Sequence, residues 1–92
     1  MSTIYKYLIR YSATPKELEM PEGAQVIYVG EQLGSLYLWA IVDLSRPLVK
    51  RKFAVLPTGY VQFDATTMRH LGTVQVGEFV WHVFEPYYPL HS

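Results

Sequence analysis

Four of the eight basic residues in this 92-residue chain lie within positions 46–52. They are Arg46, Lys50, Arg51 and Lys52, and a Pro-Thr-Gly turn followed by a tyrosine occupies residues 57–60. Cations neutralise phosphate, exposed backbone N–H groups in a turn donate to its oxygens, and an aromatic ring stacks on a base. Residues 46–60 therefore predict a site for a nucleotide-sized anion.

Three interpretations of this segment remain open. In the first, Arg51 and Lys52 neutralise phosphates, the region of Thr58 and Gly59 donates hydrogen bonds, and Tyr60 stacks on a base. In the second, the charges line a solvated sheet edge and keep it from pairing with other chains. In the third, they contact a partner protein. Because successive side chains of a strand point to opposite faces, one charge of the Arg51-Lys52 pair must border whichever face is buried.

Tryptophan and histidine supply the remaining candidate ligand-binding residues. The chain is 15% aromatic, and aromatic side chains serve strands and binding surfaces alike. Trp39 and Trp81 are therefore either core or interface residues or plates for a base. Trp81 has the better polar neighbour, because His82 follows it. For His82 the alternative is a histidine whose hydrogen bonds are satisfied inside the sheet or at an interface.

The sequence carries no motif of an enzyme. It has no cysteine, no glycine-rich loop of the strand–helix type, no Cys/His cluster and no closely spaced pair of carboxylates. On its own strand, His82 has no carboxylate on the same face, because Glu85 is three residues on and points the other way. We expect a protein without catalytic activity, cofactor or bound metal.

Length and charge restrict the class of protein. Ninety-two residues predict a single domain, 1–92, and eight acidic against eight basic residues argue against general nucleic-acid binding. The N-terminal segment lacks the features of a signal peptide, and no apolar run reaches the roughly 18 residues of a membrane span. The absence of cysteine fits a reducing compartment. We expect a cytoplasmic protein with no membrane contact.

Apolar residues recur with a period of two along most of the chain, which is typical of strands. Gly34 and the pair Gly77-Glu78 predict tight hairpins. Residues 58–63 predict a short additional strand, residues 64–70 a helical turn or loop, and residues 84–92 an extended tail. The predicted fold is all-β, with an antiparallel sheet of six to eight short strands arranged as a small sandwich or barrel.

Two of these predicted strands, within 36–42 and 79–84, are apolar on both faces. An antiparallel sheet usually exposes one face to water, and no amphipathic helix of useful length is predicted to cover it. A second copy of the chain would provide that cover. We therefore expect a homodimer or higher oligomer, and a closed small barrel with external aromatic residues is the alternative.

Several blocks of sequence, in order, resemble a known family: "IYKY", "MPEGAQV", "LWAIVD", "RKFAVLPTGY", "HLGTVQV" and "WHVFE". The chain is similar over residues 4–85 to small phage and prophage proteins catalogued only as a domain of unknown function. Tyr60 departs from the pattern, because many relatives carry a histidine after the Thr-Gly pair.

The resemblance implies a cellular context. Small phage proteins of this kind are often accessory factors that counter host defence in the host cytoplasm. Some are sponges, which are oligomers that enclose a nucleotide second messenger without cleaving it, and this is the leading hypothesis. The alternative is an inhibitor or adaptor that binds a host defence protein. A third hypothesis is a minor component of the virion or of its assembly.

Overall fold

The computed structural model describes residues 1–87, except for the side chain of Ala13. This part of the chain forms seven strands and one short 3₁₀ turn. In chain order they are β1 (Ser2–Ile9), β2 (Ser12–Pro21), β3 (Gln25–Gln32), β4 (Ser35–Asp43), β5 (Leu48–Pro57), the 3₁₀ turn (Ala65–Thr67), β6 (Met68–Val76) and β7 (Phe79–Pro86).

The strands form two antiparallel sheets, which confirms the predicted all-β antiparallel class. The first sheet has the order β1-β4-β3, and the second has the order β2-β5-β7-β6. The sheets do not close into a barrel, so the architecture is a small sandwich. Within residues 1–87 no helix is long and apolar enough to cross a membrane.

The core lies between the two sheets and follows directly from the period of two. Along β4 every second side chain points inward and is buried, whereas the intervening ones are only half-buried. The inward side chains of β5 and β7 meet them from the second sheet. The residues at the centre of this core are Leu38, Ala40, Val42, Met20, Phe53, Val55 and Val83.

Strands β3 and β6, from different sheets, approach each other closely on one side of the sandwich. A glycine permits the approach, because a Cβ atom at Gly72 would lie 2.1 Å from Cγ2 of Val29. The register of β6 against β7 also shifts between His70 and Gly72. A bulge of this kind turns the strand, which brings the edge of the second sheet against β3.

The structure corrects two predicted elements. Residues 58–63 form no strand; they belong to a loop, residues 58–67, that lies against the outer face of the second sheet. Phe63 of this loop packs on Phe84 of β7, with 4.9 Å between ring centroids. The predicted tail was placed too early, because β7 continues to Pro86. Residues 88–92 of that tail lie outside the described part of the chain.

This loop explains one of the two strands that are apolar on both faces. Phe84 of β7 packs on Phe63 of the loop and lies with it and Leu56 in one pocket. On the neighbouring strand β5, the outward side chains of Ala54 and Leu56 are buried. On β4 the outward residue Trp39 stays half-buried, with no described segment of the chain over it. Within the described residues, the outer face of the first sheet therefore remains the apolar surface for which a covering partner is predicted.

The β3–β4 hairpin places a leucine where glycine or asparagine is preferred. Its two-residue turn is Leu33-Gly34, with φ angles of 54° and 83°. Positive φ at both positions is typical of a type I′ turn, which favours Asn-Gly. Leu33 is also 96% exposed, so its side chain gains no packing in return. The carboxylate of Glu31 accepts the N–H of Gly34 at 2.7 Å and helps to close the turn.

We predict that Leu33→Asn stabilises the protein by roughly 0.5–1 kcal/mol, because asparagine adopts positive φ at lower cost than leucine. Urea unfolding measures the difference. Leu44→Asn is the matched control, because Leu44 is an exposed loop leucine without positive φ. An equal gain in both variants would show that the effect comes from removing an exposed leucine and not from turn strain.

Candidate functional site

Strand β5 separates the two halves of the predicted anion site. Arg51 lies in its first half, and Thr58 follows directly after its end. A strand rises about 3.3 Å per residue, so seven residues place these two positions about 23 Å apart. Arg51 shares the inward face with Phe53, whereas Lys52 points outward with Ala54. The structure therefore does not bring the predicted cations together with the Thr-Gly turn.

The side chain of Arg51 forms an ion pair with a buried carboxylate. Its Nε and Nη2 atoms donate to the two oxygens of Glu85 at 2.7 and 2.9 Å, and its Nη1 atom donates to the carbonyl oxygen of Ala24. The side chains of Arg51 and Glu85 are 13% and 3% exposed. This bidentate pair corrects the interpretation of Arg51 as a cation on a solvated edge, because the guanidinium is needed to compensate a buried charge.

The other half of the predicted site forms a pocket on the outer face of the second sheet. This His82 pocket has a volume of about 260 Å³. It brings together four of the eight predicted site residues, namely Thr58, Gly59, Tyr60 and His82. Phe63 and Phe84, which lie outside the predicted segment 46–60, also line it. The complete lining is Leu56, Pro57, Thr58, Gly59, Tyr60, Phe63, His82 and Phe84.

Backbone geometry fixes the rim of the His82 pocket. Strand β5 ends at Pro57, which lies opposite Trp81 of β7. The N–H of Thr58 then donates to the carbonyl of Val80, and the N–H of Tyr60 donates back to the carbonyl of Pro57. Gly59, between them, has a φ of 92°, which side chains other than glycine rarely adopt. The turn thus directs Tyr60 over the sheet.

A chain of hydrogen bonds fixes the imidazole of His82 within the pocket. Its Nε2 atom lies 2.8 Å from Oγ1 of Thr58, and its Nδ1 atom lies 2.9 Å from Oγ1 of Thr73. The same Thr73 oxygen lies 2.9 Å from Nε2 of His70. Hydroxyls donate or accept as required, so the imidazole is held in place whichever nitrogen carries the proton.

The loop that forms the pocket is held by an aspartate. The Asp64 carboxylate accepts hydrogen bonds from the backbone N–H and the hydroxyl of Thr66, at 3.0 and 2.6 Å. These bonds, the hydroxyl bond first, hold the pKa of Asp64 below its usual value. A lowered pKa stabilises the folded loop above the unfolded-state value of about 3.9, and this contribution is lost as the pH falls through the folded-state pKa.

The His82 pocket combines apolar walls with few polar groups. Its walls are aromatic and aliphatic, and its polar groups are a hydroxyl and an imidazole. No carboxylate lines the pocket among the residues that the structure describes. Glu85 lies on the opposite face of the same strand, as predicted from its spacing to His82. Among the described residues, the hydrogen-bond partners of the His82 imidazole are thus the hydroxyls of Thr58 and Thr73.

The remaining predicted site residues lie elsewhere. Lys52 shares the outer face with Leu56, and four residues of strand place it about 13 Å from the pocket wall. Trp81 points into the sandwich, with its ring centroid 4.6 Å from that of Tyr11. Trp39 lies on the first sheet, 5.6 Å from the ring of Tyr28. Neither tryptophan reaches the His82 pocket.

No group of three potential ligand residues could hold a metal ion within residues 1–87. The fold and the pocket together define an all-β sandwich with an aromatic-lined pocket on one outer face. The chain belongs to the family described as Domain of unknown function (DUF7352), whose model matches residues 1–90. No curated protein and no solved structure matches the chain. The resemblance to a domain of unknown function is therefore confirmed, while the phage origin stays a prediction.

We predict that Arg51 and Lys52 differ sharply in their contribution to stability. Arg51→Ala should lower the free energy of unfolding by about 3–5 kcal/mol, because the buried Glu85 loses its bidentate partner. Lys52→Ala, at an exposed position, should change it by less than about 1 kcal/mol. Thermal and urea unfolding of both variants measure these values.

Arg51→Ala would leave too little folded protein if the domain is only marginally stable. The double variant Arg51→Met, Glu85→Leu removes both charges and should recover most of the loss. A small and equal effect of the two alanine substitutions would contradict the assignment of Arg51 as a structural residue.

Proposed function

We propose that the protein is a non-catalytic binding module that holds a nucleotide-type ligand with its planar ring in the His82 pocket. The observation that supports this most directly is the convergence of Thr58, Gly59, Tyr60 and His82 on one cavity, with Phe63 and Phe84. Ligand pockets for drug-sized molecules usually measure about 300–1,000 Å³. A volume of about 260 Å³ suits a single ring system, with the rest of the ligand outside.

The lining gives the pocket two means of recognition. Aromatic faces stack on a base whatever its identity, which contributes about 1–3 kcal/mol per base. The hydroxyl of Thr58 and the imidazole of His82 both donate and accept, so they can match the edge of a ring. Lys52, on the same face of the sheet, is the cation that an extended phosphate would meet first.

The proposed biological role extends the resemblance. A phage accessory protein in the host cytoplasm that holds a nucleotide second messenger needs aromatic surfaces that stack on the base. The aromatic lining of the His82 pocket supports such a role, and the family assignment leaves the role open. Release of the ligand chemically intact after heat denaturation is the expected behaviour of a sponge, whereas more than stoichiometric hydrolysed product would make it an enzyme.

We predict that a thermal-shift survey of nucleotides and cyclic nucleotides identifies a stabilising ligand. A ligand at one hundred times its dissociation constant adds about 2.7 kcal/mol of stability, which raises the melting temperature of so small a domain by many degrees. Tyr60→Ala should weaken that ligand by about five- to one-hundred-fold through lost stacking.

Tyr5→Ala is the control for this experiment, because Tyr5 is a partly exposed tyrosine of the first sheet. Its affinity should stay within about threefold of the parent, a difference of under 1 kcal/mol. If no nucleotide shifts the melting temperature, or if both tyrosine variants bind alike, the proposed use of the pocket is wrong.

A second candidate function rests on the outer face of the first sheet. This aromatic face consists of Ile4, Leu8, Tyr28, Tyr37, Trp39 and Ile41, and Ile4 and Tyr28 are 56% and 63% exposed. Lys6 lies among them, donating to Gln32 at 2.6 Å and resting 4.6 Å from the Tyr37 ring centroid. Contiguous apolar surface of this kind is typical of an interface. It favours the proposed homo-oligomer, or alternatively a host protein as the partner.

We predict that Trp39→Glu dissociates the oligomer, because a carboxylate at the centre of the aromatic face would be desolvated without a partner. Light scattering of the parent should give a mass well above 10.6 kDa, and the variant should return to that value. Val61→Glu, at an 87% exposed loop position, is the control and should leave the mass unchanged. A monomeric parent across micromolar concentrations would remove the basis for the oligomer.

A further inference from the structure

A second cavity lies away from the His82 pocket and shares no residue with it. This Glu85 cavity has a volume of about 540 Å³ and lies at the end of β5 where Arg51 is found. Its charged and aromatic lining consists of Glu22, Lys50, Arg51, Arg69, Glu85 and Tyr87.

Both carboxylates of the cavity are already matched by guanidinium groups. Glu85 receives two hydrogen bonds from Arg51, and Glu22 receives one from Arg46. A metal ion or an organic cation would therefore have to displace an arginine. The cavity is not a cation site, despite its two acidic residues.

Positive charge is left over once these two pairs are formed. Arg69 contributes a third guanidinium, and its only described contact with a carboxylate is a long one, 3.3 Å from Nη2 to an oxygen of Glu85 that Arg51 already holds. The side chain of Arg69 is 57% exposed. Lys50 also lines the cavity, whereas its ladder neighbour Glu19 does not. The lining thus contains three cations, Lys50, Arg51 and Arg69, and two carboxylates.

We propose that the Glu85 cavity binds a phosphate group, and in particular a phosphomonoester. The surplus of positive charge in the lining favours an anion, and the planar guanidinium of Arg69 suits bidentate contact with phosphate oxygens. Arg69 gives up only a long, shared contact to make those bonds. A volume of about 540 Å³ exceeds what a phosphate group requires, so it also admits the group that the phosphate is attached to.

The buried pair is what makes the site possible. Arg51 neutralises Glu85, so the carboxylate does not repel an incoming anion as a free one would. Tyr87, which is 59% exposed, provides a ring beside the phosphate for the ester group. Arg51 is thus a positioning residue, while Arg69 and Lys50 make the contacts.

The test uses inorganic phosphate and ribose 5-phosphate as probes with the full-length protein. Each is titrated at constant ionic strength, followed by calorimetry and by the side-chain Nε–Hε signal of Arg69 in nitrogen-15 NMR. We expect both probes to shift this signal, with the ester binding more tightly. Arg69→Gln should weaken both by about tenfold or more, and Arg51 should keep the variant folded by holding Glu85.

Arg10→Gln is the control, because Arg10 is an exposed arginine that does not line this cavity, and its affinity should equal that of the parent. Tyr60→Ala should also leave phosphate binding unchanged, so that failure here and failure at the His82 pocket are distinguishable. Equal affinity of the two probes would assign the site to free phosphate. No response at concentrations on the order of 10 mM, or equal weakening in Arg10→Gln, would overturn the proposal.

Discussion

The ion pair between Arg51 and Glu85 holds together the part of the sandwich that hydrogen-bonded pairing leaves open. Strands β5 and β7 pair only from Ala54 opposite Phe84 to Pro57 opposite Trp81. Beyond Ala54 the ladder stops, and β5 continues beside β2 alone. The bidentate contact of Arg51 with Glu85 bridges the two strands just past this point. Through Ala24 the same guanidinium also holds the connection between β2 and β3.

A buried pair of this kind is weak evidence for net stability, because desolvation offsets most of the attraction. In this protein the pair contributes mainly to the specificity of the register between β5 and β7. An unpaired Glu85 inside the sandwich would be costly, so only the register that brings Arg51 to it is acceptable. Because β7 carries His82 on one face and Glu85 on the other, fixing that register also fixes the His82 pocket and the Glu85 cavity on opposite faces of one sheet.

The sequence was sufficient to predict most of the fold but only half of the candidate site. Alternation of apolar residues identified the strands, and Gly34 and Gly77 marked their hairpins, because both signals are local. The loop after Pro57 was misread, since Val61 and Phe63 have the composition of a strand. The signals that could have corrected it were the Pro57–Gly59 turn residues, together with the capping Asp64 before Thr66.

The site was only half predicted for a different reason. Arg51 and Thr58 are close in sequence but not in space, because a continuous strand separates its ends by about 3.3 Å per residue. The alternation of faces did separate Arg51 from Lys52 correctly. The pairing of Arg51 with Glu85, however, depends on the register between β5 and β7, and no local pattern encodes a contact 34 residues apart.

The zero net charge of the chain therefore restricts the possible ligands only weakly. Eight acidic and eight basic residues argue against binding an extended polyanion. They do not argue against a small anion, because what such a ligand meets is the local sum of charges. At the Glu85 cavity each of the two carboxylates is paired with a guanidinium group, and further cations line the cavity. In the His82 pocket no described Asp, Glu, Lys or Arg side chain lines the walls. One sheet thus carries both a charged cavity and a largely apolar pocket, although the net charge of the chain is zero.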